Sequence, residues 1–198
     1  MLLIQPVDGH DMEEMESELN YIRSHTDIPF RHVAVPIKKW NEELTPWPAP
    51  PVFGKIPFGD GAAKTLLKIK KMIGEEHQVI LGGYSLAGLF SLWAGAQYAF
   101  DGVVAASPSV WYSNWLAYSE AHQMLAKHVY LSLGDREHRS KTAIMSTVND
   151  CINKQLDLLQ TQGVDSVLEM NPGNHFQDNG IRTAKGFVWA MERIKNGK

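Results

Sequence analysis

Residues 79–90 read VILGGYSLAGLF. An apolar run of strand length ends in two glycines, one serine stands at the turn, and a small, apolar stretch follows at once. Glycines explain a sharp turn, but not a hydroxyl at its apex. A strand that turns tightly at a serine and continues as a helix exposes that hydroxyl at the tip of a sheet. The turn needs small residues two before and two after the serine, so that strand and helix can approach. Here these are Gly83 and Ala87, with Gly88 next; alanine stands where glycine is usual. The N–H of Leu86, first in the helix, would then point towards an oxyanion. The competing readings are a serine helix cap and a phosphate turn. The dinucleotide glycine spacing is absent, and no P-loop lysine follows.

Working outward, short runs rich in Val, Ile and Leu recur: LLIQPV, RHVAVPI, QVILGG, GVVAAS, HVYLSLG and SVLEMN. They suit strands buried on both faces. Between them lie helical patterns. Met12, Met15, Leu19 and Ile22 share one face of the first, and Leu66, Ile69 and Ile73 one face of the second. LAGLFSLWAGAQY is apolar all round, STVNDCINKQLDLLQTQG stops at a capping Gly163, and RTAKGFVWAMERIKNG closes the chain. The alternation implies a three-layer α/β/α sandwich with a mainly parallel sheet.

At 198 residues and 44% hydrophobic composition, one domain over 1–198 with a sizeable core is expected. A net charge of −3 gives no support to a nucleic-acid or membrane partner. No run reaches the roughly 18 apolar residues of a membrane span. The first residues, MLLIQPVDGHD, lack the basic start and long apolar run of a signal peptide. A lone cysteine, Cys151, excludes an internal disulfide and suits a cytoplasmic setting, as an inert packed thiol.

A serine hydroxyl attacks only with a base in reach and a third group holding that base. With the serine on such a turn, the partners follow in the order serine, acid, histidine. HVYLSLGDREHRS offers Asp135 and Glu137 just past a strand, and SVLEMNPGNHFQD offers His175 past the next. His122 and His128 precede the acid and His138 adjoins it, so His175 is the expected base. Glu137, three residues after Gly134, is the favoured acid; Asp135 is the alternative and could instead brace the loop through backbone N–H groups. A second oxyanion N–H should come from the loop after the first strand. Pro6 has none, which leaves Val7 or Asp8. Asp8 and His10 lack a third ligand at a recognisable spacing, so neither a metal nor a cofactor is expected.

Together GGYSLAGLFSLWA, VVAASPSVWY, LSLGDREH and NPGNHF give the chain its resemblance to the α/β-hydrolase superfamily, and within it to esterases related to esterase D and the siderophore esterases. The resemblance implies serine hydrolysis of a small carboxylic ester through an acyl-enzyme, with Ser107–Trp111 beside the nucleophile. The chain departs from larger members of the family: it starts directly with the strand that feeds the oxyanion loop, so a compact form of the fold lacking the N-terminal antiparallel strands, with little room for a cap domain, is expected. Thioesterase, amidase or acyltransferase chemistry on the same triad, and a non-catalytic binding protein, are the alternatives. The proline-rich stretch 40–61 and WYSNWLAYSEAHQM would roof the site, their rings Trp40, Trp47, Phe53, Trp111, Tyr112 and Trp115 forming an apolar pocket, with Trp47, Trp111 and Tyr112 foremost. Exposed sheet edges could be covered by a homodimer.

Overall fold

The computed structural model describes residues 1–52, 54–75 and 78–197. Its sheet has six parallel strands: β1 (Leu2–Val7), β2 (Arg31–Pro36), β3 (Val79–Tyr84), β4 (Gly102–Ala106), β5 (His128–Gly134) and β6 (Asp165–Asn171). They lie in the order β2-β1-β3-β4-β5-β6, each joined in parallel to its neighbour. All six apolar runs of the sequence are therefore strands. The chain winds outward from β1 in one direction to β2, and from β3 in the other to β6. Such a reversal leaves a crevice at the carboxyl ends of the strands.

Helices cover both faces. On one lie α1 (Gly9–His25) and α7 (Asn179–Lys195); on the other lie α3 (Ala62–Ile73), α4 (Leu86–Gly95) and α6 (Val148–Thr161). The short helices α2 (Trp40–Glu43) and α5 (Trp115–Ala121) complete the set among the described residues. Along β1 the side chains alternate, Leu2 and Ile4 packing under α3 and α4 while Leu3 packs under α1 and α7. α4 is buried at every position, as its unbroken apolar sequence requires. α6 gives way at Gly163, whose φ of +76° is the left-handed conformation of a helix end. No helix among the described residues is long and apolar enough to cross a membrane.

The helix α1 departs from its expected phase. Its buried residues are Met15, Glu18 and Ile22, while Met12 is half exposed. The inward turn of Glu18 answers a polar residue on the sheet. Gln5, buried on β1, donates from Nε2 to Glu18 Oε2 (3.2 Å), and its Oε1 lies 3.0 Å from His32 Nε2. Apolar periodicity alone could not anticipate this pairing.

Burial pushes the Glu18 carboxyl up to about 8, the Gln5 hydrogen bond offsetting only part of the shift. In the folded state Glu18 thus holds its proton between pH 4.5 and about 8, where the unfolded chain releases it. Stability attributable to this group falls as pH rises through that window and levels off above it. Glu18→Gln should remove the fall. The variant should match wild type near pH 4.5 and exceed it by up to about 5 kcal/mol at pH 8.5, read from urea unfolding at both pH values.

Candidate active site

Ser85 follows β3 directly and precedes α4, with φ +57° and ψ −116°. A side chain in that region is strained, and it persists only where the surroundings enforce it. The enforcement is close packing. A Cβ on Gly83 would stand 2.5 Å from that of Ala87, and one on Gly88 would stand 3.1 Å from the Gly83 carbonyl. Ser85 N–H donates to the Ala106 carbonyl (3.0 Å), and the Ser85 carbonyl accepts from Ser109 N–H (3.1 Å), which pins the turn to the end of β4.

The ends of β5 and β6 are zipped together. Asp135 N–H donates to the Asn171 carbonyl (2.8 Å), Arg136 N–H to that of Gly173 (3.0 Å), and Gly173 N–H to Asp135 Oδ1 (2.9 Å). Two glycines permit the approach: a Cβ on Gly134 would meet the Gly173 carbonyl at 2.5 Å, and Gly173 itself has φ +112°. The zip brings Glu137 and His175 together. His175 Nδ1 lies 2.7 Å from Glu137 Oε2, and its Nε2 lies 3.0 Å from Ser85 Oγ. Asp135 stays at the surface and braces the loop.

Glu137 is buried, and its other oxygen, Oε1, accepts from Gly134 N–H (2.7 Å), Ser107 Oγ (2.7 Å) and Arg182 Nη1 (3.1 Å). Burial raises its pKa. The hydrogen bond and charge of His175, with the Gly134 and Ser107 bonds, outweigh that and hold it below the ordinary glutamate value. Since Glu137 is ionised at neutral pH, the His175 Nδ1 facing it carries the proton. A neutral imidazole then turns its Nε2 lone pair to the Ser85 hydroxyl.

Sequence reasoning missed Tyr84 and Arg182. Arg182, on α7 and buried, donates from Nη1 to Tyr84 Oη (3.0 Å) as well as to Glu137, and from Nη2 to the Pro172 carbonyl (3.0 Å). Tyr84 Oη in turn donates to the His175 carbonyl (3.0 Å). In the sequence Arg182 is one charge among several on an amphipathic helix, so nothing there distinguishes it. Ser109, in the SPSVW segment, brings its Oγ to 3.4 Å from Ser85 Oγ.

Two sets of expected site residues stand elsewhere. The Val7 carbonyl accepts from Ile37 N–H (2.9 Å), and a strand residue turns both its backbone groups to the same neighbour. The Val7 N–H therefore faces β2. Asp8 N–H donates to the Asp11 carboxylate (3.1 Å), while the Asp8 side chain caps α1 through the N–H groups of His10 and Asp11. Both candidate oxyanion donors are engaged in forming the fold. Of the foremost pocket rings, only Trp111 lines a cavity of about 370 Å³ beside His175 and Glu137. Tyr112 is buried and donates to the Trp47 carbonyl, and Trp47 Nε1 donates to that of Ser113 (2.9 Å). These two rings knit the proline-rich segment to the loop after β4. Trp115 is buried against Gln155, Trp40 borders a separate groove, and Phe53 lies outside the described residues.

No protein-family model matches the sequence. No curated protein matches it significantly either. Solved structures do match. Siderophore hydrolase EstA from Aspergillus nidulans superposes with a TM-score of 0.70 at 18% identity, over 96% of this chain and 82% of its own. Enterobactin esterase FES from Shigella flexneri gives 0.63 at 16%, over 98% of this chain and 53% of its own. SOBER1 from Arabidopsis thaliana gives 0.58 at 16%, over 97% of each chain. The chain has an α/β-hydrolase fold. At such identities the likeness speaks to architecture alone, and the chemistry rests on the chain's own side chains.

Arg182→Met should leave Glu137 short of one donor and the Pro172 carbonyl short of another, both out of water. A loss of about 3 kcal/mol in urea unfolding at pH 7 is expected, with Arg182→Lys recovering part of it.

Proposed function

We propose that this α/β-hydrolase is a serine hydrolase that cleaves small carboxylic esters through an acyl-enzyme. The observation that carries this reading is the hydrogen-bonded relay from Ser85 through His175 to Glu137, set at a strained strand-to-helix turn. Ser85 Oγ attacks the ester carbonyl while His175 Nε2 takes its proton. Glu137, ionised and fully hydrogen-bonded, steadies the imidazolium that forms. Leu86 N–H, first in α4 and at the positive end of its dipole, would stabilise the negative charge that develops on the carbonyl oxygen. His175 then protonates the leaving oxygen. Water repeats the sequence on the acyl-enzyme, with His175 as base. No metal or cofactor enters any step.

The names of the structural neighbours, a siderophore hydrolase and an enterobactin esterase among them, agree with ester cleavage. The relay favours catalysis over a purely binding role. A binding protein gains nothing from holding a serine in a disfavoured conformation against a neutral imidazole.

Intact-mass spectrometry after fluorophosphonate treatment tests the reading. Wild type should take up one adduct, and Ser85→Ala none. His175→Ala should react roughly a thousandfold more slowly, and Glu137→Gln, which disfavours the required tautomer, at least about a hundredfold more slowly. A folded wild type that takes up no adduct would rule the mechanism out.

A further inference from the structure

This inference rests on the proposed hydrolase and specifies its substrate. In acyl transfer through Ser85 the proton held by His175 goes to the leaving oxygen, so the alcohol half of the ester lies on the His175 side. The carbonyl oxygen turns the other way, towards Leu86 N–H. The cavity of about 370 Å³ has His175 in its wall and neither Ser85 nor Leu86, so it adjoins the relay on the His175 side, where the alcohol half would leave.

Trp111, Met145, Val148 and Phe176 give that cavity an apolar lining, and Phe176 is 83% exposed without substrate. Arg136 and Arg139 supply its positive charge. Arg136 is partly neutralised, with Nε 3.7 Å from Asp135 Oδ1. Arg139 has no carboxylate within 4 Å among the described residues. The one acid in the wall, Glu137, has both oxygens committed to His175 and to its inner donors. The cavity therefore joins apolar surface to an uncompensated guanidinium, the fork that recognises carboxylates. A flat apolar group ending in an anion complements both.

We propose that Arg139 makes this site selective for esters whose leaving alcohol carries a carboxylate, an aromatic hydroxy acid acylated on its hydroxyl being the fitting class. As Ser85 Oγ bonds to the acyl carbon, the ester C–O bond breaks and the serine proton passes through His175 to the leaving oxygen. The free hydroxy acid departs. Water then releases the acyl group as its carboxylic acid and restores the Ser85 hydroxyl.

The test compares kcat/KM for 4-acetoxybenzoate with that for 4-acetoxybenzamide, whose neutral amide is close to the carboxylate in size and adds no second ester. Measurements are made on wild type, Arg139→Gln and Arg139→Lys, and fluorophosphonate labelling of wild type serves as reference. The anionic-to-neutral ratio should fall about tenfold in Arg139→Gln, keep most of its value in Arg139→Lys, and fall with added salt in wild type. A ratio unmoved by Arg139→Gln, on an enzyme that labels at Ser85, overturns the substrate assignment and leaves the hydrolase standing. A folded wild type that does not label removes both.

Discussion

The Glu137 carboxylate meets four segments of the chain at once: the end of β5 through Gly134, the loop after β4 through Ser107, α7 through Arg182, and the loop after β6 through His175. An ion out of water costs several kcal/mol unless each of its lone pairs is met. Each of the four donors comes from a different place, so meeting that demand fixes the loops relative to one another. The position of the imidazole is one result. The burial of Arg182, costly by itself, is another. Tyr84 extends the arrangement to the backbone of His175, so that both the ring and the chain of the base are held.

A second buried glutamate shows what the first would be without its partners. Glu18 has one side-chain donor, Gln5, and one oxygen with no partner among the described residues; burial wins and the group keeps its proton past neutrality. Glu137 has donors on both oxygens, and burial loses. The two acids sit in one small protein under opposite charge states. The difference lies in what faces each: Glu137 meets donors on both oxygens and the charge of His175, whereas Glu18, the more deeply buried, has one donor and the carboxylates of Asp11 and Glu14 nearby.

Much of this was legible from the residues. Six β-rich apolar runs separated by helical periods dictate a parallel sheet. Gly83, Ser85 and Ala87 dictate the turn, and chain order singles out His175. Glu137 and Asp135 were separable only in part, because a separation of two residues along a loop does not say which side chain turns inward. The zip between the ends of β5 and β6 decides that, and it is a contact between residues about 38 positions apart. The oxyanion donor at Val7 failed for a related reason. Which way a strand's N–H faces depends on its neighbour's register, and β1 pairs along its whole length with β2. Trp47 and Tyr112 show the limit of composition. Rings in a proline-rich loop serve packing as readily as they serve a pocket, and their polar atoms here seek backbone carbonyls.

The order of the strands has a bearing on how the molecule comes into being. Ser85 leaves β3 in the middle of the chain, whereas His175 and Arg182 belong to the last stretch, after β6 and within α7. Parallel strands cannot pair through a local hairpin, so each addition to the sheet waits for a long crossover. Until β6 docks, β5 is an open edge, and until α7 docks, Leu3, Ile80 and Val104 lack their covering layer. The relay at Ser85 thus depends on the last elements of the chain. A chain folded only as far as β5 would hold its serine turned outward with no imidazole in reach, and would be chemically silent until the whole sheet was complete.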